Sequence, residues 1–184
     1  MKFARISFLL LPLLLSAVSP LVGQEKPARV SPLDTVTQTI GGNEIKVVYS
    51  RPFTKDPKTG EMRKIWGGLV PFGQLWRTGA NEATVLSTQQ PLKMGDKTIP
   101  VGSYSLFTIP TAEGGKMIVN KQTGQSGLKR DEAEDLAQVD MKKEPLSPAV
   151  DQFTIGIDKA GDTGGVLKLM WQDAQYTVPF TVSK

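Results

Sequence analysis

The side chains best suited to binding chemistry are concentrated in residues 64–82. Arg77, Asn81 and Glu82 closely follow Trp76 there, so a guanidinium, an amide and a carboxylate lie beside a flat aromatic ring. A guanidinium binds carboxylates and phosphates through paired N–H donors, and an aromatic side chain gives a pocket a flat apolar wall. The stretch therefore predicts a binding site for a small anionic or polar ligand.

Two further cations belong to the predicted site. Arg51 ends a predicted strand and Lys121 follows another, and we expect both to meet Arg77 around an anionic group while Trp76 forms the wall. The alternative is structural: an internal ion pair between Arg77 and Glu82 holds a glycine-rich loop in place, and the tryptophans are ordinary core residues. The two interpretations assign opposite roles to Arg77.

The absence of histidine and cysteine limits the catalysis that this chain can perform. Without them there is no Ser-His-Asp triad, no cysteine nucleophile and no zinc or blue-copper centre of the usual types. Carboxylate, lysine, tyrosine or hydroxyl chemistry remains, and the enzyme alternative is a hydrolase or lyase with Glu82 as acid or base and Arg77 or Lys121 stabilising an anion. Among the acidic residues only Glu82 lies in residues 64–82, which favours a non-catalytic binding module without a cofactor. Six other acidic residues lie in polar loops: Asp56, Glu61, Asp131, Glu132, Glu134 and Asp135.

Residues 158–165 carry oxygen donors of the kind that calcium accepts. They lack the spacing and the terminal glutamate of an EF-hand loop. A glycine-rich hairpin loop explains the same residues, so we predict no metal site.

The loop that carries the candidate site must be positioned by strands. Four glycines and Pro71 exclude a long helix or strand within residues 64–82. Elsewhere apolar and polar residues alternate, which is typical of half-buried strands, and no predicted helix is long enough to connect parallel strands. The predicted strands cover residues 34–40, 44–50, 82–89, 103–110, 116–120, 136–145, 151–158, 166–171 and 176–182, and residues 92–99 are predicted to fold about a turn at Met94-Gly95-Asp96. The sequence therefore predicts an all-β fold, a single antiparallel β-sandwich of about nine strands, for which a jelly roll is one arrangement.

Residues 1–23 read as a signal peptide, because Lys2 and Arg5 precede a short apolar run that is followed by small residues. The run is too short to cross a bilayer, and we expect no membrane span in the mature chain. Residues 24–32 are predicted to be a flexible lead-in to one domain at residues 33–184. We expect a periplasmic or extracellular protein whose partner is a small ligand or an envelope protein.

The formal net charge of +4 does not favour nucleic-acid binding. Removal of the predicted leader takes away Lys2 and Arg5 and leaves 20 basic against 18 acidic residues, a net charge of +2. Nucleic-acid binding would also need a basic stripe with interleaved aromatic residues, which the sequence does not contain. We therefore expect no nucleic-acid partner.

Several motifs together resemble a known family. The most specific runs from Trp76 to Glu82 and reads Trp-Arg-Thr-Gly-Ala-Asn-Glu. It is accompanied by Tyr49-Ser50-Arg51-Pro52, Gly102-Ser103-Tyr104-Ser105-Leu106, Asn120-Lys121 and Gly124-Gln125. On these motifs the mature chain resembles the bacterial secreted family catalogued as domain of unknown function 2911. The resemblance implies a shared fold and identifies the positions of the family's motifs, and it implies no activity.

Overall fold

The computed structural model describes residues 29–183, so the predicted leader at residues 1–23 lies outside the described residues. The described chain is all-β apart from one short 3-10 helix at Glu132–Glu134. Its strands are β1 (Leu33–Ile40), β2 (Asn43–Ser50), β3 (Thr84–Thr88), β4 (Leu92–Met94), β5 (Lys97–Ile99), β6 (Gly102–Pro110), β7 (Gly114–Asn120), β8 (Asp135–Ala160) and β9 (Gly164–Val182). No helix among these residues is long and apolar enough to cross a membrane.

All nine strands belong to one antiparallel sheet, in the order β1-β2-β3-β6-β7-β8-β9-β4-β5. The prediction of an all-β antiparallel fold with about nine strands is confirmed. Six of the eight neighbouring pairs in the sheet are also consecutive in the chain, and short hairpin turns join four of them: β1-β2, β4-β5, β6-β7 and β8-β9. The turn at Gly41-Gly42 requires two residues with positive φ, which glycine adopts without strain.

The long hairpin of β8 and β9 folds the sheet over on itself. Its register shifts between Pro145 and Val150 and again between Val150 and Thr154, and the strands bend there. Beyond the bend the hairpin packs against β2: the backbone N–H of Ile155 donates to Tyr49 Oη over 3.0 Å, and the Tyr49 and Phe153 rings meet edge to face at 5.8 Å. One bent sheet therefore supplies both layers around the core.

The alternating pattern correctly predicts which side chains enter that core. Phe153, Ile155 and Ile157 in β8 are buried, and so are Leu167 and Leu169 in β9. Successive side chains in a strand point to opposite faces, so these alternate residues all reach the same interior. Their burial holds the folded-over hairpin against the rest of the sheet.

Residues 51–83 connect β2 to β3 without regular strands and cover one end of the folded sheet. Ile65 and Val70 are fully buried, which anchors this connection to the core. Trp76 pairs with Thr108 of β6 through two backbone hydrogen bonds of 2.7 and 2.9 Å. The predicted shaped loop is thus fixed to the sheet at the position of Trp76, beside the candidate functional residues.

Candidate functional site

An aromatic cluster, consisting of Trp66, Trp76, Phe153, Trp171 and Tyr176, lies under the connection between β2 and β3. Trp76 stacks on Trp171 and meets Trp66 and Phe153 edge to face, with ring centroids 5.0 to 6.1 Å apart. Trp66 Nε1 donates to the Trp171 carbonyl over 2.9 Å, so the polar edge of that indole is satisfied. Burial raises the pKa of Tyr176 to about 12. The cluster is thus a poorly solvated floor, next to which charges interact more strongly than in water.

A cavity of about 580 Å³ opens above this floor, and we name it the Arg77 cavity. Trp76 and Trp171 form its aromatic wall. Four cationic side chains, those of Lys55, Arg63, Arg77 and Arg130, also line it, whereas its lining contains no aspartate or glutamate. The volume lies within the range of about 300 to 1,000 Å³ that is usual for small-molecule sites. The lining therefore favours a ligand that carries negative charge.

The four cations differ in how far protein groups already neutralise them. Arg130 forms a two-pronged pair with Asp135 and a second contact with Glu132, so its charge is balanced. Arg63 donates to backbone carbonyls, with the nearest carboxylate 3.8 Å away.

Between residues 29 and 183, by contrast, the side chains of Arg77 and Lys55 have neither an ion pair nor a hydrogen bond. Arg77 is also held at one place, because its aliphatic stem lies against Gly127. Its guanidinium is consequently available to a ligand in the cavity.

Exposed apolar side chains surround the same cavity. Each of them leaves between 44% and 80% of its surface accessible: Val30, Phe53, Leu69, Leu75 and Leu128. Scattered apolar residues are normal on a protein surface, whereas a group that rims a single cavity is a pattern typical of binding surfaces. Together with the cations, the rim gives this cavity an amphipathic lining.

A family model described as a protein of unknown function (DUF2911) matches residues 31–180. The chain belongs to this family. Comparisons with curated proteins and with solved structures gave no match. The family assignment confirms the resemblance that the sequence motifs indicate. The DUF2911 description states no activity, so the function has to be inferred from the geometry of the site.

Three of the six predicted site residues line the Arg77 cavity of this DUF2911 domain: Trp76, Arg77 and Asn81. Asn81 adopts a positive φ of 59°, its carbonyl accepts from the backbone N–H of Gly127 over 3.0 Å, and its side-chain amide donates to the Ser31 carbonyl over 3.3 Å. These bonds join the loop of residues 64–82 to the lead-in at Ser31 and to the segment around Gly127. The motif from Trp76 to Asn81 thus shapes one side of the cavity.

Arg51 and Lys121 are not part of this site, which corrects the expectation that they meet Arg77. Arg51 donates to the Phe153 carbonyl (3.0 Å), to Thr154 Oγ1 (2.7 Å) and to Asp34 (3.1 Å). It therefore fastens the end of β2 to the folded-over hairpin. Lys121 lies on the surface, with its Nζ atom 3.7 Å from Glu134. Neither side chain lines the cavity.

The ion pair between Arg77 and Glu82 is not formed, so the structural alternative is also wrong in this detail. Both carboxylate oxygens of Glu82 accept instead from the guanidinium of Arg29, each over 2.8 Å. Hydrogen bonding from Arg29 holds the pKa of Glu82 below its ordinary value, so this carboxylate stays charged at neutral pH. Glu82 does not line the Arg77 cavity. The acid and the guanidinium that the enzyme interpretation requires in one cleft are thus separated.

Sequence reasoning missed Lys55, Leu128 and Arg130 as parts of the cavity. All three lie in polar connections that gave no periodic or motif signal. Trp171 is a core residue of β9, and its ring also contributes to the cavity wall. A ring can do both because one edge of the aromatic cluster reaches the surface.

Proposed function

We propose that this DUF2911 domain is a non-catalytic binding module of the bacterial cell envelope that holds an amphipathic anion in the Arg77 cavity. One observation carries the proposal: a cavity of about 580 Å³ is lined by four cations and no acid, and the Arg77 guanidinium has no partner among residues 29–183. A cation beside a poorly solvated aromatic floor stabilises an anion more than a cation in water does.

The arrangement of the cavity indicates how such a ligand binds. Its carboxylate or phosphate group contacts Arg77, with Lys55 as a second positive charge. Its apolar body lies on Trp76, which Trp171 supports by stacking, and against the apolar rim. The affinity then depends on both parts, because the rim and the floor contribute by burying apolar surface.

Binding is better supported than catalysis at this cavity. No carboxylate lines it and the chain contains no histidine, so the two side chains that most often act as general base at neutral pH are missing from its lining. The predicted signal peptide at residues 1–23 supports the envelope location, since an exported domain meets its ligand outside the cytoplasm.

Tryptophan fluorescence tests the proposal, because two of the three tryptophans line the cavity. We expect octanoate and 2-naphthoate to change the emission saturably, and 1-octanol, which has the same chain without the charge, to bind at least about tenfold more weakly. Arg77→Ala should weaken octanoate binding by a similar factor. Lys121→Ala removes a cation that does not line the cavity and should bind like the wild type.

Two results would contradict the proposal. The first is the absence of any saturable change with either anion. The second is equal affinity of the wild type and Arg77→Ala for octanoate, which would show that the guanidinium does not contact the anion.

A further inference from the structure

A second, smaller cavity lies where the loop of residues 64–82 reaches β3, and we name it the Glu82 cavity. Its volume is about 240 Å³, and its polar lining comes from Arg29, Ser50, Glu82 and Gln125. Ser50, Glu82 and Gln125 belong to three separate sequence motifs that the fold brings together here. None of these residues lines the Arg77 cavity, so the two cavities are separate sites.

Two buried oxygen atoms of residues that line this cavity accept no hydrogen bond from any group among residues 29–183: Ser50 Oγ and Gln125 Oε1. Ser50 is only 1% exposed. The amide nitrogen of Gln125 donates to Ser105 Oγ over 3.1 Å and to the Gln122 carbonyl over 3.2 Å, so these bonds fix which end of the amide is the oxygen. Buried oxygens without partners destabilise a fold, which makes each of them a position where a donor from a ligand would be favourable.

The third acceptor is the Glu82 carboxylate. Hydrogen bonding from Arg29 holds its pKa low, and the nearby Ser50 hydroxyl is a smaller contributor in the same direction. Arg29 engages only the carboxylate and forms no hydrogen bond with Ser50 or Gln125. The side chains of Arg29 and Glu82 are both about half exposed, at 50% and 49%, so water competes with this ion pair and a ligand can displace it at low cost.

We propose that the Glu82 cavity binds a primary ammonium group. An ammonium has three N–H donors and no acceptor, which matches the Glu82 carboxylate, Ser50 Oγ and Gln125 Oε1 as three acceptors. The charge of Glu82 balances the charge of the ammonium. Arg29 is the chain's own cation at the same carboxylate, so it competes with the ligand and limits the affinity of the unmodified chain.

The test is a nuclear magnetic resonance titration of the purified chain with propylammonium, followed through backbone amide shifts. We expect saturable shifts at residues 50, 82 and 125. Tetramethylammonium, added at the same ionic strength, carries the same charge but has no N–H donor and should not produce them. Arg29→Ala should bind propylammonium severalfold more tightly, because the competing cation is gone.

Three variants assign the contacts. Glu82→Gln should weaken propylammonium binding about tenfold or more, and Ser50→Ala about threefold to tenfold. Ser50→Ala should change the melting temperature little, since Ser50 Oγ accepts no hydrogen bond and its interaction with Glu82 is a minor one. Glu134→Gln, at a half-exposed acid that does not line the cavity, is the control for Glu82→Gln and should bind like the wild type.

Separate titrations with glucosamine and phosphoethanolamine distinguish an amino sugar from a lipid headgroup as the source of the ammonium. The inference is overturned if Arg29→Ala shows no saturable shift with propylammonium, if tetramethylammonium produces the same shifts, or if Glu82→Gln binds as tightly as the wild type. Arg77→Ala should leave this binding unchanged, so the outcome here is independent of the function proposed for the Arg77 cavity.

Discussion

The indole of Trp76 stacks on that of Trp171, with ring centroids 6.1 Å apart and 25° between the ring planes. Trp171 is 1% exposed and belongs to the core, whereas Trp76 is only half-buried. The stack therefore connects the core of the sheet to the wall of the Arg77 cavity. It also places the Arg77 cavity on a well-packed support, which favours a fixed geometry of the cavity wall.

This stack predicts that Trp76 contributes to stability as well as to binding. Trp76→Ala removes the contacts with Trp66, Phe153 and Trp171, and we expect it to lower the free energy of unfolding by about 3 kcal/mol. Urea denaturation followed by circular dichroism measures the change. Phe72→Ala, at an exposed aromatic residue of the same loop, should cost no more than about 1 kcal/mol. Equal midpoints for the two variants would contradict this prediction.

Truncation of the two arginines of the predicted site should lower stability by different amounts. Arg51→Ala removes hydrogen bonds to the Phe153 carbonyl, Thr154 and Asp34, and we expect it to cost about 2 kcal/mol of stability. Arg77→Ala removes no ion pair with any described residue and should cost less than about 1 kcal/mol. Denaturant melts of both variants make the comparison.

A matched cycle with Glu82→Gln checks that Arg77 does not clamp the loop. Because Glu82 pairs with Arg29, the effects of Arg77→Ala and Glu82→Gln on stability should be additive. Strong coupling between these two changes would contradict this prediction and would support the ion pair between Arg77 and Glu82 that the sequence suggests.

The strands were predictable because burial on one face of a strand leaves a period of two in the sequence. Residues 151–158 show this pattern clearly, and they form the hairpin arm of β8 that packs on β2. The prediction separated residues 136–145 from 151–158. Pro145 and Pro148, which cannot donate to a sheet, lie at this break. In the structure the register shifts at that position and pairing resumes beyond it, so both segments belong to β8.

The partner of Glu82 was not predictable from local sequence. Arg77 lies only five residues before Glu82, but Thr78 and Asn81 take positive φ values of 54° and 59° and turn the chain between them. The actual partner, Arg29, precedes Glu82 by 53 residues and belongs to a polar lead-in without a periodic pattern. Such a contact depends on where the lead-in crosses the folded sheet, and only the tertiary structure fixes that path.

The pair of Arg130 and Asp135 should make stability depend on pH in the acid range. Burial alone would raise the pKa of Asp135, but hydrogen bonds from Arg130 and Asn120 together hold it below its ordinary value of about 3.9. A carboxyl whose pKa is lower in the folded state stabilises the fold above about pH 4. That contribution is lost as the pH falls through its folded-state pKa.

Asp135→Asn should therefore destabilise the domain by about 3 kcal/mol at pH 7, because it leaves a mostly buried guanidinium without its carboxylate. The difference from the wild type should shrink when urea melts are repeated between pH 4 and pH 2. Asp140→Asn, at an exposed carboxylate, should stay within about 0.5 kcal/mol of the wild type at pH 7. If the difference in the free energy of unfolding between Asp135→Asn and the wild type does not change with pH, the pH dependence does not come from Asp135.

Gly127 offers a way to disturb the Arg77 cavity without removing any charge. A Cβ atom at residue 127 would lie 2.6 Å from Arg77 Cδ and 2.8 Å from Arg77 Cβ, which is closer than nonbonded carbons approach. Gly127→Ala should therefore push the Arg77 stem from its place, lower stability by about 1 to 3 kcal/mol and weaken octanoate binding. In the Arg77→Ala background the Cδ contact is absent, so the same change should cost less stability. If Gly127→Ala costs the same in both backgrounds, the packing between Gly127 and Arg77 is not what fixes the guanidinium at the cavity.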